Sequence, residues 1–142
     1  MATLGRAISI AGNAFENVND KGGQPYILHC LWVMNKVRHL GHDFMIVAIF
    51  HDLVEDTNWT IEDLRNEGFN ESVLYSIDTI SKKVGVKYLD YIEGVAINPM
   101  ARAVKLADLQ HNSDITRLKD LTKASKDRTF KYHQAYTYLK SI

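Results

Sequence analysis

At 142 residues the chain is long enough to bury one proper core and too short for a second catalytic module. Lys and Arg together number 17, as do Asp and Glu, so the formal net charge is zero, which argues against a general nucleic-acid or anionic-membrane binder; positive potential for a phosphorylated ligand has to be local. A single cysteine, Cys30, leaves no internal disulfide and fits a reducing cytoplasm, and neither a signal peptide nor an apolar run long enough to span a membrane is visible.

In chain order, residues 2–15 place Leu4, Ile8, Ala11 and Phe15 on one face of an amphipathic helix. Residues 16–24 are polar, contain Gly22-Gly23 and predict a loop, after which Pro25 suits the first position of a second helix. That helix is expected to run to about Leu40, stopped by Gly41, with Ile27, Leu31, Met34 and Val37 towards the core and His29 near its start. A third helix is predicted over about 43–54. Thr60 and Asp63 form a capping box for a short helix ended by Gly68, and Asn70 caps another that runs through Ile80. Lys82-Lys83-Val84-Gly85 is a basic turn, Tyr88, Leu89, Ile92 and Val95 continue as helix, and Asn98-Pro99 opens the helix that holds Asp108 and Asn112. Ser125-Lys126-Asp127 leads into a last helix rich in Tyr and Phe, whose aromatics are expected to pack. With no strand alternation, repeat or linker, the expectation is one all-α domain of six to eight helices.

The third predicted helix ends unusually. Phe44-Met45-Ile46-Val47-Ala48-Ile49-Phe50 is apolar, and His51-Asp52-Leu53-Val54-Glu55-Asp56 then sets four ionisable groups into six residues. If the helix continues, His51 lies under Glu55 and Asp52 under Asp56. An adjacent imidazole and carboxylate suit a divalent metal, and two more carboxylates one turn on suit the handling of its water. A bland helix end is the alternative for the dipeptide alone. His29 and Asp108, on other helical segments, supply further candidate ligands. Two imidazoles and two carboxylates are compatible with Mn²⁺, Fe²⁺, Zn²⁺ or Co²⁺.

Four blocks in order, Asp20 to His29, His51 to Thr57, Lys105-Leu106-Ala107-Asp108, and Asn112, resemble the HD-domain phosphohydrolases, specifically the hydrolase domain of the RelA/SpoT enzymes and the stand-alone small alarmone hydrolases. The resemblance spans nearly the whole chain and implies a single HD-type helical bundle without the synthetase half of the long enzymes. It implies His29, His51, Asp52 and Asp108 as ligands of one divalent metal, with Mn²⁺ as the ion. It also implies Glu55 and Asp56 as the pair that orients or deprotonates the attacking water, a solvated acidic turn being the alternative.

By the same resemblance, Asn112 and Lys21 contact the nucleotide. Lys105, three residues before Asp108, is a candidate to approach a phosphate, against a side chain that snorkels to solvent, and Lys82, Lys83 and Lys87 are candidates for the distal phosphates, against a plain basic surface turn. His39, His42, His111 and His133 fall outside the ligand pattern, with solvent or supporting roles expected. The chain departs from the family at Phe15-Glu16-Asn17-Val18, where relatives carry His-x-Gly-Gln, and at Asp20, where many have an Arg that stacks on guanine. The implied activity is removal of the 3′-diphosphate of ppGpp or pppGpp to give GDP or GTP and pyrophosphate. Hydrolysis of another phosphorylated nucleotide, whether 3′-phosphorylated, monophosphate or cyclic, and a silent nucleotide-binding module are the alternatives.

Overall fold

In the computed structural model, which describes residues 2–142, the centre of the bundle is the helix whose sequence is apolar on every side. It is α3 (His42–Ile49), in which Met45, Ile46, Val47, Ala48 and Ile49 are all buried. Before it come α1 (Leu4–Ala14) and α2 (Ile27–Lys36), and after it a single turn, α4 (Leu53–Asp56). Then follow α5 (Ile61–Glu67), α6 (Glu71–Ile80), α7 (Tyr88–Ile97), α8 (Pro99–Asn112) and α9 (Lys123–Ser141). Counting helices of seven residues or more gives eight among the described residues, as expected for an all-α domain. These residues contain no strand, only an isolated bridge between Asn19 and Pro25 that closes the loop before α2. None of their helices is long and apolar enough to cross a membrane.

Helix α3 packs against α1, α2, α6 and α8, so α2 and α8, the helices that bear His29 and Asp108, meet beside it. Several boundaries follow from local chemistry. Thr60 and Asp63 satisfy each other's backbone N–H groups, and Gly68 ends α5 with φ of 100°, a left-handed conformation that costs glycine nothing. Asn70 and Asn98 cap α6 and α8 through their side-chain oxygens, and Pro99 occupies a first-turn position of α8 where its missing N–H is harmless.

The structure differs from the expected helices in three places. Helix α2 stops at Lys36, and Arg38–Leu40 form a separate 3₁₀ turn before Gly41, which has φ of 106°. Helix α9 starts at Lys123, two residues before Ser125, because Thr122 accepts from the Ser125 backbone N–H. The third helix breaks after Ile49, so His51 and Asp52 sit in a turn and the stacking of His51 under Glu55 does not occur. At the break the backbone bonds tighten from four residues to three, with His51 N donating to Ala48 O and Leu53 N to Phe50 O. The His51 ring also bonds the Ala48 carbonyl.

A candidate metal centre in a charged cleft

Each candidate ligand is carried by a helix or turn whose neighbours point into the core. His29 shares the buried face of α2 with Cys30, Val33 and Met34, and Asp108 interrupts the buried stripe Ala101, Val104, Ala107, Leu109 of α8. A carboxylate in such a stripe is the informative exception, since charged groups are rarely buried without a partner. The turn after α3 adds His51, 2% exposed, and Asp52.

One donor atom from each of His29, His51, Asp52 and Asp108 lies within 4.8 Å of all the others. Asp108 Oδ1 is 3.0 Å from His29 Nε2 and 3.2 Å from His51 Nε2, and the two Nε2 atoms are 3.3 Å apart. Asp52 Oδ2 is 3.0 Å from His51 Nε2 and accepts a bond from the Tyr26 hydroxyl. The Nδ1 of His51 faces the Ala48 carbonyl at 2.7 Å. A carbonyl only accepts, so that nitrogen carries the proton and, in the neutral ring, Nε2 offers its electron pair to the cluster. Two nitrogens and two oxygens converging in this way fit a divalent cation.

Burial opposes charge at His51, Asp52 and Asp108, and neighbouring charges outweigh it. Asp52 and Asp108 hold the His51 imidazole well above its usual range. Lys105 and His51 hold the Asp108 carboxyl well below the usual carboxylate range, and His51 lowers Asp52. Asp56 is exposed towards the cleft, yet partial desolvation and the charges of Asp52 and Glu55 push its carboxyl up to about 6.

Two groups expected at a substrate also support Asp108. Lys105 Nζ donates to Asp108 Oδ2 at 2.8 Å, and Asn112 Nδ2 donates to Asp108 Oδ1 at 2.9 Å. The cluster opens into a cleft of about 730 Å³, and Lys105 and Asn112 line it together with Glu55, Asp56, Lys21 and Lys82. Glu55 Oε1 accepts the Lys82 backbone N–H at 2.7 Å, which ties the acidic turn to the basic one. Lys83 turns away to Asp78, 2.8 Å distant, and Lys87, just before α7, is not part of the cleft wall. The sequence reading missed Arg128, Lys131 and Tyr132 on α9, which also line the cleft. Their spacing of three and four residues was a legible signal of a shared face, obscured by the assumption that a Tyr-rich helix only packs.

The loop before α2 is fixed by Asp20. Asp20 Oδ1 accepts from the backbone N–H groups of Gly22 and Gln24 at 2.9 Å each, and Oδ2 lies 3.3 Å from Arg117 Nη2. A Cβ on Gly22 would stand 2.1 Å from the Arg117 carbonyl oxygen. Gly22→Ala is therefore expected to displace one of these two cleft segments and to cost about 1–3 kcal/mol in denaturant unfolding. An unchanged midpoint would contradict this close approach.

A helical bundle that gathers residues in the order His, His-Asp, Asp into one buried cluster defines an HD domain. No protein-family model matches the chain. Among curated proteins, it is 34% identical over 116 residues to a guanosine-3′,5′-bis(diphosphate) 3′-pyrophosphohydrolase of Haemophilus influenzae, 72% of this chain and 17% of that protein. It is 31% identical over 122 residues to the bifunctional (p)ppGpp synthase/hydrolase SpoT of Escherichia coli, 77% of this chain and 17% of that protein. A probable GTP pyrophosphokinase of Mycobacterium leprae is 32% identical over 123 residues, 79% of this chain and 16% of that protein. The chain thus spans 16% or 17% of the length of these relatives. A solved structure, described as a metazoan ortholog of SpoT that hydrolyzes ppGpp, superposes with a TM-score of 0.81 at 20% identity, covering 98% of this chain and 85% of that one. The chain is an HD domain of the RelA/SpoT type.

Proposed function

We propose that this domain is a cytoplasmic, Mn²⁺-dependent pyrophosphohydrolase that converts ppGpp or pppGpp into GDP or GTP plus pyrophosphate. The observation that carries the reading is the opening of the four-donor cluster into a cleft with Glu55 and Asp56 at one side and Lys21, Lys82, Arg128 and Lys131 around it. Relatives named for hydrolysis of the guanosine 3′-diphosphate support the same substrate.

In this reading His29, His51, Asp52 and Asp108 hold the cation. Such an ion supplies Lewis acidity to phosphoryl oxygens and lowers the pKa of water from ~16 towards ~7. Glu55, braced by the Lys82 backbone, orients the attacking water, and Asp56 takes its proton. The hydroxyl adds to the phosphorus on O3′, the P–O3′ bond breaks, and the proton passes to the departing O3′. Lys21, Lys82 and the α9 cations neutralise the phosphates, while Lys105 and Asn112 keep Asp108 aligned and reach the nucleotide from the same wall.

A second substrate is favoured by one observation: Asp20 is held by Arg117 at a position where an Arg would stack on guanine. Another 3′-phosphorylated, monophosphate or cyclic nucleotide is that second reading. Metal-loaded protein incubated with ppGpp, 3′-phosphoadenylate and ordinary mono- and cyclic nucleotides separates the two. Pyrophosphate from ppGpp is the expected product, phosphate release from the others selects the second reading, and binding without turnover defeats both.

A further inference from the structure

His111 is the histidine that the ligand pattern leaves out, yet its ring is placed with as much care as the candidate ligands. Its Nδ1 lies 2.8 Å from Nδ1 of His29, with the two rings only 4° from coplanar. Its other contact is a face: the Trp32 ring stacks on it at 4.2 Å and 9°. The Arg117 guanidinium fixes the backbone there by donating to the His111 carbonyl at 3.0 Å. The arrangement interlocks two helices, since Trp32 follows His29 by three residues on α2 and His111 follows Asp108 by three on α8.

Two imidazole nitrogens at this distance share one proton, and its ownership decides what His29 can do. If it belongs to His111, a neutral His29 must carry its own proton on Nε2, with no electron pair facing the cluster. If it belongs to His29, Nε2 is a bare electron pair aimed between Asp108 and His51. His51 has the same problem solved by the Ala48 carbonyl, which accepts only. His29 has no such carbonyl, so its form depends on an imidazole that can donate or accept.

We infer that His111 is a positioning residue: it accepts the His29 Nδ1–H, holding His29 in the form whose Nε2 binds the cation, while Trp32 holds the His111 ring in plane. The inference deepens the proposed function and rests on its metal site. His111→Leu keeps an apolar ring-sized neighbour for Trp32 and removes the acceptor. His111→Asn returns an acceptor oxygen at the place of Nδ1.

The test is Mn²⁺ affinity by titration, with thermal unfolding as a check on folding, and ¹⁵N-histidine NMR of the Zn²⁺-loaded protein. The leucine variant is expected to bind Mn²⁺ about 10–100-fold more weakly, the range typical for lost partners of ligating histidines. The asparagine variant should recover most of that affinity. In the wild type, a scalar coupling across the N–H···N bond should link the His29 and His111 rings, with the proton on His29. Equal affinity in the leucine variant, equal loss in both variants, or a proton on His111 would overturn the role while leaving the metal site standing. Wild-type protein that takes up neither cation would remove the metal site itself, and this role with it.

Discussion

Asp108→Ala is expected to abolish cation binding and also to lower the unfolding free energy by about 3–5 kcal/mol, the usual cost of removing one partner of a buried ion pair. The second effect follows from Lys105. Its side chain is 13% exposed, and although burial opposes its charge, Asp108 holds the ammonium well above its usual range. Without Asp108 that charge has lost its carboxylate, and the Asn112 amide has lost its acceptor. Adding Lys105→Met to Asp108→Ala should restore much of the stability and none of the metal binding. Thermal unfolding with elemental analysis reads both. If Asp108→Ala melted where the wild type does, Lys105 would not be relying on this carboxylate.

The sign of the pH dependence follows from the same pair. Asp108 titrates well below its ordinary value in the fold, so its contribution to stability is complete above about pH 4 and is lost only as pH falls through the lowered folded value.

Removing the acidic pair should separate chemistry from binding. Asp56→Asn and Glu55→Gln are each expected to cut hydrolysis by about 10²–10⁴-fold, the range for a positioned acid or base, while both retain the cation. The double variant should lose far less than the product of the two, because residues that act on one water do not contribute independently. Asp56 must be ionised to accept a proton, and its carboxyl is pushed up to about 6, so the rate should fall on the acid side of that value. A bound cation offsets the charge of Asp52 and moves this limb lower, never higher. Full activity in Asp56→Asn, with metal content unchanged, would rule out the acceptor role.

Much of this architecture was legible locally. The capping box of Thr60 and Asp63, the Asn98-Pro99 start of α8 and the stop at Gly68 depend on groups within about a turn of one another, so short-range chemistry is enough to read them. The break at His51-Asp52 was not legible, because no Gly or Pro marks it. It arises where a histidine ring reaches back to the Ala48 carbonyl and the backbone bonds shorten. The cations were read by type and not by direction: Lys82 borders the cleft, Lys83 pairs with Asp78, and Arg128 and Lys131 arrive from a helix more than seventy residues after the HD dipeptide.

Residue order alone determined the helical class, most helix ends and the chemical identity of the two histidines and two aspartates. Only the packing of α2 and α8 against α3 and the turn that follows it decided that those four side chains meet, that Lys105 and Asn112 brace Asp108, and that His111 stands behind His29. The physical reason is range. Helix propensity and capping act over three or four residues, whereas His29 and Asp108 are 79 positions apart and converge because burying the apolar faces of their helices leaves one shared place for their polar ends.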